Sequence, residues 1–392
     1  MPDTVFLSAV RTPIGAFMGA LSDLSAPQLG AVAIREAVAR AGVDPAEIDV
    51  VLMGCVLTGG MGQAPARQAA LYAGLPNSVP CTTVNKVCGS GMKTVMLADQ
   101  AIRLGDARVM VAGGMESMTN APYALDRARK GYRMGHGQLT DTMIHDGLWD
   151  PYHNVHMGTC GDRCADEHRY TREQIDAYAA ESYRRALAAQ SEGRLADEIV
   201  GVSIPQRKGD PIVVSEDEEP KKGDPAKLGS LRPAFGKEGA TTAGNASSID
   251  DGAAALVLAS SDFASRRGLA PLGRVIATAV HAQDPQWFTT APAEAVRKVL
   301  AKAGLGVGDI DLFEVNEAFS VVAMVVADKL GIDRERLNVN GGAVSLGHPI
   351  GMTGARLIVT ALHELRRRSA RYAVCSPCIG GGEATAVLIE RL

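Results

Sequence analysis

The 392-residue chain has little excess charge of either sign and few aromatic side chains. Lys and Arg number 40 against 44 Asp and Glu, a formal charge of -4. No broad electrostatic field then favours DNA, RNA or an anionic membrane surface, so we expect no nucleic-acid partner. Aromatic residues make up only 4% of the chain, whereas glycine reaches 43 residues. This composition favours tight turns and close approach of the backbone to a small ligand.

Long apolar runs are also absent. No stretch reaches the roughly 18 apolar residues that a membrane span needs, and residues 1–6 lack the basic and apolar regions of a secretory signal. We therefore expect no membrane association and a cytoplasmic protein. The seven cysteines form an odd set without the density of a disulfide scaffold, which predicts reduced thiols. With 46% apolar residues, the chain can bury one large core or two ordinary ones.

An internal repeat is the strongest signal of domain organisation. Residues 33–42 resemble residues 295–304, and each segment leads into a short apolar run, at 50–53 in the first case and 312–315 in the second. A helix, a glycine and a continuous apolar strand in succession predict a sheet covered by helices. The predicted fold class is therefore α/β, with two duplicated α/β halves.

The pattern changes in the middle of the chain, where polar, Gly-rich and Pro-rich segments predominate. We interpret this part as an inserted loop domain. It contains one clear predicted helix, from residue 171 to about 191, whose Thr171 and Gln174 fit a capping box. The predicted units are residues 1–119 with 246–270 as the first half, 120–245 as the loop domain, and 271–392 as the second half.

Cys88 is the first candidate for chemistry. It lies in a glycine-rich turn between a predicted strand and a helix that begins near residues 91 to 93. The partial positive charge and free N–H groups of a helix N-terminus stabilise a thiolate, so we expect a thiol pKa below the usual value and a nucleophilic role. A small buried side chain in a packing turn is the competing interpretation.

His348 occupies the corresponding turn of the second half, within residues 339–351. Imidazole is the usual base for activating a thiol, and Pro349 with its neighbouring glycines would fix the position of the ring. A single histidine is more often structural. Its place in the turn that matches the Cys88 turn favours the catalytic interpretation.

Two further candidates follow apolar strands of the second half. Cys375 and Cys378 form a Cys-x-x-Cys pattern before glycines 380–382. Zinc would need two more ligands, and a thioredoxin-like site would normally open a helix early in the chain. We favour a role in which the backbone N–H groups of these glycines hold an oxyanion and Cys378 carries a proton.

Asn316 is the other candidate. Its neutral amide can fix a water or a carbonyl group without adding charge, and the alternative interpretation is a helix-capping role.

Together these segments resemble the thiolase family along almost the whole chain. The matching motifs are residues 8–15, 85–91, 242–247, 316–319, 341–351 and 378–382. The resemblance implies the thiolase fold, with the two halves in a five-layered αβαβα arrangement. It also implies an acyltransferase that condenses two molecules of acetyl-CoA to acetoacetyl-CoA and CoA, and that catalyses the reverse thiolysis.

The resemblance also implies a role for each catalytic residue. Cys88 would take the acyl group, His348 would activate it, and Cys378 would exchange a proton with the second acyl-CoA. Asn316, through a held water, and His348 would form one oxyanion hole, and the backbone N–H groups of Cys88 and Gly380 would form the other. No metal is implied, and no cofactor besides coenzyme A, which is both substrate and product.

The inserted loop domain is implied to bind the pantetheine arm of CoA. The implied contacts are Leu148, His156, Met157, Lys221, Phe235, Ala243, Ser247, Ala318 and Phe319. The bulky pair His156 and Met157 resembles the short-chain, biosynthetic branch of the family, so we expect a small acyl group. A degradative 3-ketoacyl-CoA thiolase of broader chain length is the alternative. Another interpretation is that His153, His156 and the neighbouring cysteines bind a metal or merely line a loop.

Two segments depart from the usual thiolase pattern. Residues 248–250 read Ser-Ile-Asp where Gly-Leu-Asn is usual, and Trp287 with Phe288 adds aromatic bulk before a helix of the second half. Both changes bear on the choice of substrate. Residues 123–143 resemble the tetramerisation loop of short-chain thiolases, which implies a homotetramer. A ketoacyl-carrier-protein synthase or a non-catalytic carrier would lack at least one of Cys88, His348 and Cys378.

Overall fold

The computed structural model describes residues 2–392. The strands are β1 Thr4–Arg11, β2 Gly15–Ala16, β3 Val50–Gly54, β4 Cys81–Val84, β5 Val109–Ser117, β6 Tyr123–Leu125, β7 Leu139–Asp141, β8 Trp149–Asp150, β9 Val155–His156, β10 Val202–Ile204, β11 Ile212–Val214, β12 Asp250–Ser260, β13 Gly273–Ala282, β14 Leu312–Val315, β15 Tyr372–Ser376, β16 Cys378–Ile379 and β17 Glu383–Arg391. The α-helices are α1 Ala26–Ala41, α2 Pro65–Tyr72, α3 Ser90–Leu104, α4 Met157–Glu167, α5 Arg172–Ser191, α6 Glu219–Lys222, α7 Ser261–Arg266, α8 Ala291–Ala303, α9 Ser320–Leu330, α10 Ala343–Leu346 and α11 Ile350–Arg368. Shorter 3-10 turns and one π-helical turn, Met143–Leu148, join them.

The predicted repeat is confirmed element by element. In the first half α1 is followed by β3, and in the second half α8 is followed by β14. Both helices end on a glycine in the left-handed conformation, Gly42 at a φ of 66° and Gly304 at 68°, where a side chain would be strained. The pair α3 and β5 is likewise matched by α11 and β15.

Each half contains a mixed sheet. The strands of the first half are ordered β4-β3-β5-β12-β1, and those of the second half are ordered β13-β17-β15-β14. Neighbours β3, β4 and β5 are parallel, as are β14 and β15, whereas β12 and β17 run antiparallel to their neighbours. The two sheets are joined at one corner, where Val5 pairs with Arg274 and Phe6 with Gly273.

Helices form three layers around these sheets. α1 and α2 pack outside the first sheet, α8 and α9 pack outside the second, and α3 and α11 lie against each other between the two. The predicted five-layered αβαβα arrangement is confirmed. The central layer is tight, because a Cβ on Gly91 would lie 2.8 Å from the Ala355 nitrogen and 2.9 Å from the Gly351 oxygen. Only glycine allows α3 and α11 to approach this closely.

The segment between β5 and β12 carries α4, α5 and α6 and three small hairpins. The helix predicted from residue 171 is α5. Thr171 is its N-cap, and Gln174 completes the capping box. Within residues 2–392, no helix combines the length and the apolar character that crossing a bilayer requires.

Arg11, at the end of β1, anchors this central segment. Its buried guanidinium donates to Glu198 at 2.6 Å and to the two carboxylate oxygens of Asp217 at 2.7 and 2.9 Å. A buried charge is tolerated only when it is paired and hydrogen-bonded. The network therefore fixes the central segment on the first half.

Candidate active site

The first turns of α3 and α11 open into a cavity of about 460 Å³ that contains both Cys88 and His348. Of the predicted CoA contacts, the structure places these along its walls: Leu148, His156, Met157, Phe235, Ala243, Ser247, Ala318 and Phe319. Lys221 lies outside the cavity and pairs with Glu216, whereas Lys222 lines it. Phe288 also lines the cavity, but Trp287 does not.

The Cys88 turn is held in a strained conformation. Val87 has a φ of 45°, which is unusual for a β-branched residue and occurs where the surroundings fix the backbone. Asn85 Oδ1 accepts the Val87 N–H at 3.0 Å. Ser90 Oγ accepts the Lys86 N–H at 2.8 Å and donates to the Val87 carbonyl at 2.7 Å. The sulfur is thus presented by a rigid turn that leads directly into α3.

The Cys88 thiol is neutral in this environment. Burial raises its pKa to about 11. The N–H groups of Gly380 and of Cys88 itself are directed at the sulfur and lower the pKa, while the carboxyl of Glu116 raises it. The prediction of a pKa below that of a free thiol is wrong, because the helix terminus does not compensate for the loss of water around a buried thiolate.

His348 is also neutral, and its tautomer follows from its partners. Nδ1 lies 2.6 Å from Thr353 Oγ1, which donates its own proton to the Pro349 carbonyl at 2.9 Å. Nδ1 must therefore carry the imidazole proton, and Nε2 is the basic nitrogen. Burial and the positive charge of Arg356 lower the pKa of His348 to about 3. Nε2 can therefore accept a proton throughout the neutral range.

Cys378 lies close to Cys88. Burial and a charge on Cys88 raise its pKa, and the N–H groups of Ala318 and Cys378 and the side chain of Asn316 are directed at its sulfur. Two adjacent thiols that oppose each other's ionisation suit proton exchange better than simultaneous charge. Cys375, the other member of the Cys-x-x-Cys pattern, bonds the Leu357 carbonyl at 3.5 Å in the core. The two cysteines therefore do not share a site.

Asn316 completes the catalytic group at the end of β14. Its Nδ2 lies 3.5 Å from His348 Nε2. Its Oδ1 is buried and has no hydrogen-bond partner among residues 2–392. A buried amide oxygen is normally satisfied, so this acceptor points to a group that enters the site.

The His156 side chain forms part of the cavity wall. Its ring stacks on Phe235 at a centroid distance of 4.5 Å, and its Nδ1 accepts the Gly158 N–H at 3.1 Å. His153 instead bonds Asp150 at 2.8 Å. The two histidines have separate protein partners, and no cluster of three or more His, Cys, Asp or Glu side chains within residues 2–392 could hold a metal ion.

Sequence reasoning missed four buried polar residues that support the site: Glu116, Asp250, Glu317 and Thr353. Glu317 accepts hydrogen bonds of 2.8 Å from Tyr178, Ser182 and Asn338. It ties the strand end that carries Asn316 to α5. An acid directly after a functional amide was the one available signal. The partners of Glu116, Asp250 and Glu317 are distant in sequence, and no pattern marked Thr353 as the partner of His348.

Comparison with known proteins agrees with this geometry. Residues 4–262 match the thiolase N-terminal domain model, and residues 269–391 match the thiolase C-terminal domain model. Acetyl-CoA acetyltransferase 1 of Arabidopsis thaliana is 53% identical over 390 residues, which cover 99% of this chain and 94% of the relative. The acetyl-CoA acetyltransferase of Pseudomonas aeruginosa is 48% identical across 100% of both chains.

Two solved structures are similar over the same extent. The acetyl-CoA acetyltransferase of Bacillus anthracis superposes with a TM-score of 0.98 at 42% identity, covering 100% of this chain and 99% of that one. The Acat5 thiolase of Ascaris suum, in complex with coenzyme A, gives a TM-score of 0.94 at 44% identity, with 100% of both chains covered. The motifs, the five-layered fold and these matches together show that the chain belongs to the thiolase family.

Proposed function

We propose that this thiolase is an acetyl-CoA C-acetyltransferase. It condenses two molecules of acetyl-CoA to acetoacetyl-CoA and CoA, and it catalyses the reverse thiolysis. The observation that carries the proposal is the convergence of Cys88 and the basic Nε2 of His348 at one cavity, with Cys378 close to Cys88. The names of the relatives, and the CoA complex of one of them, support the choice of substrate.

The first half-reaction transfers an acetyl group to Cys88. The sulfur attacks the thioester carbonyl of acetyl-CoA while His348 Nε2 removes its proton. The backbone N–H groups of Cys88 and Gly380 are directed at the Cys88 sulfur, and in this proposal they stabilise the oxyanion of the tetrahedral intermediate that forms beside it. The imidazolium then returns the proton to the departing CoA thiolate. A neutral thiol and a neutral imidazole can begin this sequence without separating charge in the resting enzyme.

The second half-reaction forms the carbon–carbon bond. Cys378 passes its proton to His348 Nε2, and the thiolate so formed takes a proton from the methyl group of a second acetyl-CoA. The N–H that His348 Nε2 then carries and a water held by Asn316 Oδ1 stabilise the enolate oxygen. The enolate carbon attacks the acetyl group, the Cys88 thiolate that leaves takes a proton from Cys378, and Cys378 regains its own proton from His348.

The cavity walls suit the pantetheine arm and a short acyl group. Apolar and aromatic side chains line most of it, among them Met157, Phe235, Phe288 and Phe319. Lys222 lines the cavity, and we propose that it binds the anionic end of CoA. We propose that residues 120–245 form the domain that binds CoA, and that the other predicted contact residues also bind it. A degradative enzyme of broader chain length is the second candidate.

We also propose a cytoplasmic homotetramer. The hairpin β6–β7 and its connection lie within residues 123–143 and expose apolar side chains, including Tyr123, Met134 and Leu139. Exposed apolar clusters of this kind are typical of protein–protein contacts. Light scattering of the purified protein distinguishes a tetramer from a dimer.

The test of the proposed function is covalent acetylation measured on the intact protein. After mixing with acetyl-CoA, the wild-type protein should gain one acetyl group at Cys88 and release CoA. Cys88→Ala should form no adduct and no acetoacetyl-CoA. Cys375→Ala is the matched control, because this thiol lies in the core outside the cavity and its loss should leave the adduct intact. Acetylation of Cys88→Ala at another thiol would refute the proposal.

A further inference from the structure

Asp250, at the start of β12, is a buried carboxyl group with no role in the half-reactions above. Its Oδ2 accepts the backbone N–H of His348 at 2.7 Å. Gly347, the preceding residue, has a φ of 102°, and a Cβ there would lie 2.5 Å from Asp250 Oδ2. The turn that carries the catalytic imidazole is therefore shaped around this carboxyl group.

The support for His348 comes from the opposite half of the chain. Asp250 lies on β12, and Glu116 on the neighbouring β5 accepts the Gly351 N–H at 2.9 Å. The first turn of α11 is thus held by two carboxyl groups from two adjacent strands. Of the two, only Asp250 bonds the residue that performs the chemistry.

Ser248 links Asp250 to the cavity. Its Oγ lies 3.1 and 2.9 Å from the two oxygens of Asp250, and the negative charge of Glu219 acts on the same carboxyl group. Ser248 and Glu219 both line the cavity. A hydroxyl group has one proton, so Ser248 can donate to one oxygen of Asp250 and accept from the other only if that oxygen is protonated. Both contacts are satisfied when Asp250 carries a proton.

The charged surroundings favour retention of that proton. Among residues 2–392, Asp250 forms no ion pair with a basic side chain. The other titratable groups near Asp250 are Asp251 and Tyr183. Glu219 has Lys222 and Glu218 as its charged neighbours. Burial, followed by the charge of Glu219, raises the pKa of Asp250 well above its usual value, and burial raises the pKa of Glu219.

We propose that Asp250 is a positioning residue for His348, and that Asp250 and Glu219 form a carboxyl pair that retains one proton during catalysis. The inference rests on the acetyl transfer proposed above. While the proton is present, Ser248 bonds both oxygens of Asp250 and the His348 turn is held in place. As the pH rises and the proton is lost, two buried negative charges repel each other under the turn, and the alignment of Nε2 is lost. Asp250 therefore stabilises the His348 turn at a pH below the value at which this proton is lost, and not above it.

The test compares Asp250→Ala with Asp250→Asn. The rate of Cys88 acetylation in a single turnover is measured between pH 6 and 10 by mass spectrometry of the intact protein. An alanine leaves the His348 N–H without an acceptor. Since displacement of a catalytic group by about 1 Å can cost about 100-fold, we expect the maximal rate to fall about 10- to 100-fold. The acetyl-CoA concentration for half-saturation should stay within about twofold, because the cavity wall is unchanged.

Asp250→Asn keeps an acceptor for the His348 N–H and removes the charge. It should recover most of the rate and lack the alkaline loss of the wild-type protein. Glu219→Gln removes the second negative charge and should also lack that loss. Asp251→Asn is the matched control, because Asp251 bonds the Thr119 N–H at 3.0 Å rather than the His348 turn. It should keep the wild-type rate at neutral pH.

Two outcomes would overturn the inference. One is Asp250→Ala at the wild-type rate, and the other is an alkaline loss that coincides in the wild type and Asp250→Asn. The second comparison stands even if the alanine variant does not fold. Absence of any adduct in the wild-type protein would instead refute the proposed function itself, so the two failures are distinguishable.

Discussion

The neutral state of the Cys88 thiol makes a quantitative prediction for its reaction with iodoacetamide. A pKa of about 11 leaves roughly one thiol in 10⁴ ionised at pH 7, whereas an ordinary pKa of about 8.5 leaves roughly one in 30. Cys88 should therefore contain about 300-fold less thiolate than an unperturbed cysteine. Its alkylation rate should rise about tenfold with each pH unit from 7 to 10.

The assay is peptide mass spectrometry after timed alkylation at several pH values. Cys81 supplies an internal comparison, because it is only partly buried: burial raises its pKa, and the guanidinium of Arg67 offsets part of that rise. It should be alkylated before Cys88 at pH 7. His348→Ala should not raise the pKa of Cys88 further, since the imidazole it removes is neutral. A Cys88 rate that levels off near pH 7, or a clear rise of its pKa in His348→Ala, would show a thiolate–imidazolium pair and refute the reasoning.

Three further predictions test other parts of the structure. Cys378→Ala should still take an acetyl group at Cys88 but should form acetoacetyl-CoA about 10²- to 10⁴-fold more slowly, since it removes a positioned general base; condensation near the wild-type rate would contradict this division of roles. Acetoacetyl-CoA should be cleaved well and 3-ketooctanoyl-CoA poorly in a thiolysis assay, because Met157 and Phe319 narrow the cavity, and a flat chain-length profile would favour the degradative alternative. Asp217→Ala should lower the free energy of unfolding by about 3–5 kcal/mol, because it leaves the buried Arg11 guanidinium without its bidentate partner. Denaturant titration measures the difference beside the exposed control Glu216→Ala, and equal unfolding midpoints of the two variants would contradict the role of the buried pair.

Local patterns were sufficient to predict the framework of the molecule. The repeat at residues 33–42 and 295–304 encodes the same helix, glycine and strand in each half, and this information is contiguous in sequence. The capping box at Thr171 is local in the same way. Once both halves were recognised, Cys88 and His348 could be placed at matching turns without knowledge of tertiary contacts.

The properties that the sequence did not predict depend on contacts between distant segments. The pKa of Cys88 is set by how completely the folded chain excludes water, and a helix-terminus argument does not contain that quantity. The bond from His348 to Asp250 joins residues 98 positions apart. Lys221 and Lys222 are neighbours in sequence, and only the direction of the short helix α6 decides which of them reaches the cavity.

Because of the close contact between α3 and α11 at Gly91, the active site depends on both halves of the chain. The nucleophile opens one central helix and its base opens the other, so neither half by itself holds a working site. The distance between sulfur and imidazole is determined by how the two helices lie against each other, and that spacing is limited by a residue with no side chain. The chain resembles a dimer fused into one polypeptide, whose reactive centre is its own internal interface.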